Sequence, residues 1–288
     1  MKTSLDCIPC FFRQALEAAR IAGANESKQK KILEEVCRII PNISLNVSPP
    51  EIGRAVYALI IKETGILDPF KKIKDKSNKF ANDLYPILKD KVKNSKDKLL
   101  SSIDLAIAGN VIDYGAKNSL NIEEEIEKIL KYNPDSFSNN NKSIFDYQKF
   151  KEALSKTEKV LYLADNAGEV LFDRILIEEM NKEVIYVVKD KPIINDALAE
   201  DAYACGLDKC SQIISNGYDA PGTVLNYCSK DFLNIYERSD LIISKGQGNF
   251  ETLAEENGPI YFLVKVKCPV VAKNIGGKVG DIVLKGPE

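Results

Sequence analysis

From Lys159 onward the chain alternates short apolar runs with helical patterns, and this alternation limits the possible folds more than any other feature. Strand-like runs lie at 160–163, 184–188, 212–214, 241–244 and 260–264. Helical spacing fills the intervals at 170–180, 195–205, 230–238 and 250–255. Strand and helix in turn imply parallel strands joined by right-handed crossovers. The expected fold class is α/β, a Rossmann-like three-layer α/β/α sandwich of about five mainly parallel strands.

The first half reads differently. Apolar residues recur at helical spacing over 5–21, 28–40, 50–63, 69–92 and 98–116, with a shorter helix at 121–130. Pro50 suits a first helical position, and Gly65 stands just past a helix end. Residues 133–143, NPDSFSNNNKS, are polar and aperiodic and read as a loop. The expected organisation is an all-helical domain over 1–150 and a catalytic α/β domain over 151–288.

Composition narrows the chemistry. The 288 residues include no histidine, which removes Ser-His-Asp and Cys-His catalysis, His-ligated zinc and a histidine base. Reactivity must rest on carboxylates, amides, lysines, cysteines, or a metal bound through oxygen or sulfur. A net charge of −2 gives no reason to expect nucleic acid or an anionic membrane as partner. No apolar run reaches membrane-spanning length, and MKTSLDCIPC lacks a signal-peptide core, so a cytoplasmic location is expected. Seven cysteines, an odd number, exclude a complete disulfide framework. The sequence leaves the oligomeric state open.

Three strand ends carry polar residues that a parallel sheet would place on one edge, where such folds bind ligands. The first is Asp165-Asn166-Ala167-Gly168-Glu169, at a strand-to-helix junction. Adjacent oxygen ligands beside a helix N-terminus suit a divalent cation holding a phosphate, although Asp and Asn are equally ordinary helix caps. The second is Lys189-Asp190-Lys191-Pro192 with Asn195, Asp196 and Asp201 beyond it. Asn195 and Asp196 read better as helix starts than as ligands, and Asp201 as a solvated helix residue. The third runs from Lys245 through Gly246, Gln247, Gly248, Asn249 and Phe250 to Glu251. Its glycines would let backbone N–H groups approach a phosphate, with Lys245 adding a point charge, or would simply form a tight turn. In the helical half, Asn110 and Asp113 stand three apart on one helix face that either borders the cleft or faces water.

Cys7-Ile8-Pro9-Cys10 has the spacing of zinc and thiol redox pairs, but no second such pair exists and the motif opens a helix. Cys268 is an isolated thiol after the last strand.

Taken in order, the C-x-x-C, AGNVIDYG at 108–115, ADNAGEVLFD at 164–173, NDALAEDA at 195–202, SKGQGNFE at 244–251 and KVKCPVVA at 265–272 resemble the damage-control metal-dependent phosphatases. The match runs from Cys7 to about Gly277 and is nearest the stand-alone prokaryotic branch. The resemblance implies hydrolysis of small phosphate monoesters, such as sugar phosphates or damaged phosphometabolites, with manganese, nickel, cobalt or magnesium as cofactor. It carries metal-ligand roles onto Asp165, Asn166 and Asp201, and phosphate binding onto Lys245 and the residues after it. The substrate-side set would be Asn110, Asp113, Gly168, Lys245, Gly246, Gly248 and Asn249. Without histidine, the base would be a cation-bound hydroxide or a carboxylate, Glu169 or Asp113. Two rivals remain at this point: a carboxyl methyltransferase using S-adenosylmethionine, and a non-catalytic metal or thiol sensor built on Cys7, Cys10 and Cys268. The strand-end Asp-Asn-Ala-Gly is unlike a glycine-rich nucleotide loop, which weighs against the methyltransferase.

Overall fold

A computed structural model describes residues 1–109 and 144–287. Six strands form one sheet in the order β3-β2-β1-β4-β5-β6: β1 (Lys159–Leu163), β2 (Glu183–Val188), β3 (Gln212–Ser215), β4 (Ile242–Lys245), β5 (Ile260–Lys265) and β6 (Ile282–Lys285). The first five pair in parallel, and β6 runs antiparallel to β5. All five expected strands are present. The sixth, outside the sequence reading, is only four residues long and returns antiparallel to β5 after the helix at Pro269–Ile275.

Chain order reverses between β1 and β4, so the loops leaving their C-terminal ends diverge and open a crevice. The strands alternate faces with period two. Val160, Tyr162, Val184, Tyr186 and Ile243 point into one apolar core, while Leu161, Leu163, Ile185, Val187 and Ile242 point into another.

The helices are α1 (Ile8–Ile21), α2 (Glu26–Ile39), α3 (Pro49–Thr64), α4 (Lys71–Lys93), α5 (Lys98–Ala108), α6 (Tyr147–Lys156), α7 (Val170–Met180), α8 (Ala199–Ala204), α9 (Lys230–Glu237), α10 (Gly246–Leu253) and α11 (Pro269–Ile275). Local chemistry sets their starts. Asn25 caps α2 by accepting from Lys28 N at 3.0 Å, and Asp97 caps α5 by accepting from Leu100 N at 3.0 Å. Ser48 and Glu51 form a capping box at α3, which stops at the left-handed Gly65.

Helices α4, α5, α6 and α7 contribute to the first sheet core, and α9, α10 and α11 to the second. Helices α1, α2 and α3 close a third core around Phe11, Ile32, Val36, Val56 and Ile60, which also takes in Phe70 and Ile193. The helical half is thus not one body: α4 and α5 belong to the sheet's packing. Helix α6 runs through residue 150, where the change of element type was expected. The expected helix at 121–130 and the loop at 133–143 lie outside the described residues.

Under the β1–β4 junction lies a buried polar network. Asp173 of α7 accepts from Tyr162 Oη at 2.7 Å, Tyr186 Oη at 2.8 Å and Lys245 Nζ at 2.5 Å. Tyr162 and Tyr186 are directly opposed in the β1–β2 register, and their rings stack at 5.4 Å. Removing one partner of a buried ion pair strands the other charge, at about 3–5 kcal/mol. Asp173→Ala is therefore expected to lower unfolding free energy by roughly that amount. Urea titration with an unchanged m-value would measure it, and a loss under about 1 kcal/mol would contradict the role given to this pair.

Candidate active site

Strand β1 ends at Leu163, and Asp165-Asn166 follow before a single 3-10 turn, Ala167–Glu169, enters α7. Asn166 occupies the position of a helix cap, yet its side chain makes no capping hydrogen bond. Its Nδ2 instead donates to Asp165 Oδ2 at 3.0 Å and to Glu169 Oε1 at 2.7 Å. Both carboxylates thus hold the amide nitrogen, which turns Oδ1 away from them. Glu169 is fully buried, and its other oxygen, Oε2, lies 3.2 Å from Lys245 Nζ. Burial raises the Glu169 pKa above the usual carboxylate range, with Lys245 acting in the opposite sense. Both of its oxygens are engaged, so it orients Asn166.

Across from this turn lies the segment after β2. Ala167 N donates to Asn195 O at 2.9 Å and Ala197 N to Asp165 O at 2.8 Å, with Asn166 and Asp196 facing each other between the two bonds. This is the non-hydrogen-bonded kind of antiparallel pair, in which opposed side chains come nearest, about 4.5 Å between Cα atoms. Asp196 is buried, and Lys189 Nζ stands 3.6 Å from its Oδ2 while donating to the Gly222 carbonyl. Asn195 and Asp196 therefore do not begin a helix, as their residue types led us to expect. Extended pairing, including Lys189 N to Ala197 O at 3.0 Å, holds them until α8 starts at Ala199. Ile194 just before them adopts φ of +45°, rare for a β-branched residue and tolerated here because neighbours on both sides are pinned.

The third strand end is tighter than a loop. Strand β4 stops at Lys245 and α10 starts at the next residue. Gly246 makes the turn at φ +80°, and a Cβ there would fall 1.9 Å from Asp165 Oδ2. The missing side chain is the space the Asp165 carboxylate occupies. Lys245 is fully buried, with Nζ between Asp173 and Glu169. Burial alone would lower its pKa; Asp173 and then Glu169 outweigh that and leave it raised, so it is a permanent cation. It serves as a fixed charge beneath the site. Asn249 ties the elements together: its Nδ2 donates to Ala164 O at 2.9 Å and Lys245 O at 2.8 Å. Gly248 is covered by the chain at Gly222, where an added Cβ would meet Gly248 O at 2.2 Å. Gly168 is buried inside the 3-10 turn.

Asp201, in the first turn of α8, is buried and well supplied. Its Oδ1 accepts from Asn78 Nδ2 at 2.7 Å, and its Oδ2 accepts from Leu198 N at 2.9 Å with Lys74 Nζ at 3.8 Å. Burial raises its pKa, and Lys74 is the strongest opposing influence. Lys74 also pairs with Asp68 at 2.7 Å. These contacts join α8 to α4 rather than to Asp165. Asp165, Asn166, Glu169, Lys245, Gly246 and Asn249 come together as one connected group. Asn110 and Asp113 lie outside the described residues.

The sequence reading took Asp196 for a helix start rather than a ligand. Only the pairing of the β1 and β2 loops, a long-range fact, sets it opposite Asn166. Among the described residues no three carboxylate or thiol groups converge on one point. The oxygens gathered at the two loops are carboxylates and one amide, donors that suit a hard divalent cation. All seven cysteines are free thiols, and Cys7 and Cys10 flank the start of α1. Burial is the main cause raising the Cys7 pKa, which leaves it a poor thiolate.

The chain is similar to known proteins along its whole length. Residues 3–283 match the family model described as the damage-control phosphatase ARMT1-like domain. A damage-control phosphatase of Pyrococcus horikoshii is 35% identical, the alignment covering 98% of this chain and 97% of that one. One from Archaeoglobus fulgidus is 31% identical over 100% of both. The crystal structure of a DUF89 family protein from P. horikoshii superposes with a TM-score of 0.87 at 34% identity, over 100% of each chain. The strand order, the strand-end Asp-Asn turn and these likenesses agree: the chain belongs to the damage-control phosphatase ARMT1-like family.

Proposed function

We propose that this protein hydrolyses small phosphate monoesters with a divalent cation held at the β1–β4 strand ends. The observation that carries the reading is the opposed pair Asn166 and Asp196, beside Asp165, at the point where strand order reverses. Relatives named as damage-control phosphatases support it. A manganese, nickel, cobalt or magnesium ion would be held by the carboxylates of Asp165 and Asp196 and the amide oxygen of Asn166, with solvent and substrate oxygens completing its shell. When bound, such an ion polarises the phosphoryl group and makes water acidic enough to attack.

The chain's own residues prepare the site. Glu169 holds Asn166 Nδ2, fixing which amide atom faces outward. Lys245 offsets part of the negative charge of Glu169 and Asp173 from below, without spending a coordination position. Gly246 leaves room for the Asp165 carboxylate. Asp201 acts one layer back: it caps Leu198 N and holds Asn78 and Lys74, so it fixes the 195–198 segment that presents Asp196.

Hydrolysis of p-nitrophenyl phosphate is expected to require added manganese, cobalt, nickel or magnesium and to be lost on chelation. Full activity after exhaustive chelation would refute the proposal.

Asp165→Ala and Asp196→Asn are each expected to weaken manganese binding by more than about tenfold, the order seen when metal-site groups are lost. Asp201→Asn, which keeps an acceptor for Leu198 N, should act mainly on stability. Calorimetric titration of manganese separates the two, and equal losses of affinity at 196 and 201 would return Asp201 to the ligand set.

Replacing Cys7 and Cys10 together by serine should leave metal-dependent hydrolysis within roughly tenfold, about 1.4 kcal/mol of barrier. No step of ester hydrolysis needs a thiol. Loss of activity at an unchanged melting temperature would instead favour a thiol-based role.

A further inference from the structure

Tyr57 of α3 is a buried phenol whose hydroxyl has no hydrogen-bond partner among the described residues. Buried polar groups almost always find partners, so each exception asks for a reason. Nothing in the apolar packing supplies one: the ring lies 6.4 Å from Phe70 and belongs to the core formed by α1, α2 and α3, which also takes in Ile193.

Its position is informative. Gly53, Arg54 and Tyr57 share one face of α3. Gly53 lies against Pro221, and Arg54 Nε donates to Asp219 at 2.7 Å, both in the loop that follows β3 on the site's edge of the sheet. Helix α3 also packs on α10, whose first residue receives Asp165. Tyr57 continues this face toward the segment carrying Asp196. The charges acting on its hydroxyl are the carboxylates of Asp68 and then Asp196. The site is rich in acceptors, and among the described residues its buried ammonium groups already face some of them: Lys74 is ion-paired with Asp68 and Asp201, Lys189 donates to Gly222 O, and Lys245 to Asp173 and Glu169. A phosphate ester brings further oxygens and needs donors. A phenol supplies one without adding charge, and burial, its largest influence, raises its pKa so that it stays protonated.

We propose that the Tyr57 hydroxyl donates a hydrogen bond to a phosphoryl oxygen of the substrate, binding it from the α3 side of the site. This rests on the phosphatase reading above.

The test compares the wild type, Tyr57→Phe and Tyr236→Phe. Tyr236 of α9 also has a buried hydroxyl without a partner among the described residues and serves as control. Inorganic phosphate is titrated into the manganese-loaded protein, p-nitrophenyl phosphate kinetics are measured, and melting temperatures are recorded. Tyr57→Phe should weaken phosphate binding roughly 10–100-fold, the loss of one hydrogen bond to a charged acceptor. It should raise KM, leave manganese affinity intact, and leave the melting temperature unchanged or higher, because no protein hydrogen bond is lost. Tyr236→Phe should leave phosphate binding as in the wild type. Wild-type phosphate affinity in Tyr57→Phe, or a weakened affinity accompanied by a lowered melting temperature, would overturn the assignment. A wild type that neither binds phosphate nor cleaves the ester would refute the phosphatase reading, and the Tyr57 assignment with it.

Discussion

The buried ion pair between Asp173 and Lys245 is the constraint on which the rest of the molecule depends. Both groups are out of contact with water, so each would be strongly unfavourable alone. Four other groups share the charge: the Tyr162 and Tyr186 hydroxyls, the Glu169 carboxylate and, through Glu169, the Asn166 amide. These belong to β1, β2, β4, the 3-10 turn and α7. Any slip in the register of β1 against its neighbours would separate them. The value of such a pair lies less in net stability than in permitting one arrangement of the elements that carry it.

That arrangement delivers the site. Lys245 is the last residue of β4, so fixing its ammonium group fixes where the strand ends and where Gly246 must turn. The Asp165 carboxylate fills the space that turn leaves. Glu169, held by Lys245, holds Asn166 in its turn. The core and the strand-end oxygens are one continuous network, which is how side chains on a short turn are held in fixed positions.

The helical half completes the surroundings through charge. Lys74 and Asn78 of α4 reach Asp201, and Arg54 of α3 reaches Asp219, so two helices from the first half are fastened to loops of the sheet's C-terminal edge. The apolar core of the α1–α3 bundle takes in Ile193 from the segment after β2, and Arg54 adds a polar contact to the same edge. Bundle and sheet are therefore joined at the site itself.

Much of this was legible in the sequence. The five parallel strands follow from apolar runs spaced by helical patterns, since burial on both sheet faces demands such runs. The Asp165-Asn166 turn and its neighbour Gly246 stand out as polar residues and glycine at strand ends. The absence of histidine limited the chemistry to carboxylates, amides, lysines, cysteines, or a metal bound through oxygen or sulfur. The settings of single residues were not legible. Asp196 looks like a helix start by residue type, Asp201 like a solvated helix residue, and Lys245 like a free charge. Their settings come from pairing across 30 to 123 residues of chain: Asn166 with Asp196, Asn78 with Asp201, Lys245 with Asp173. Local sequence determines which elements form and which chemical types lie at their ends. Which of those groups face one another, and which are spent on burying a charge, is decided only when distant segments pack, because burial sets the cost that each polar group must find a partner to offset.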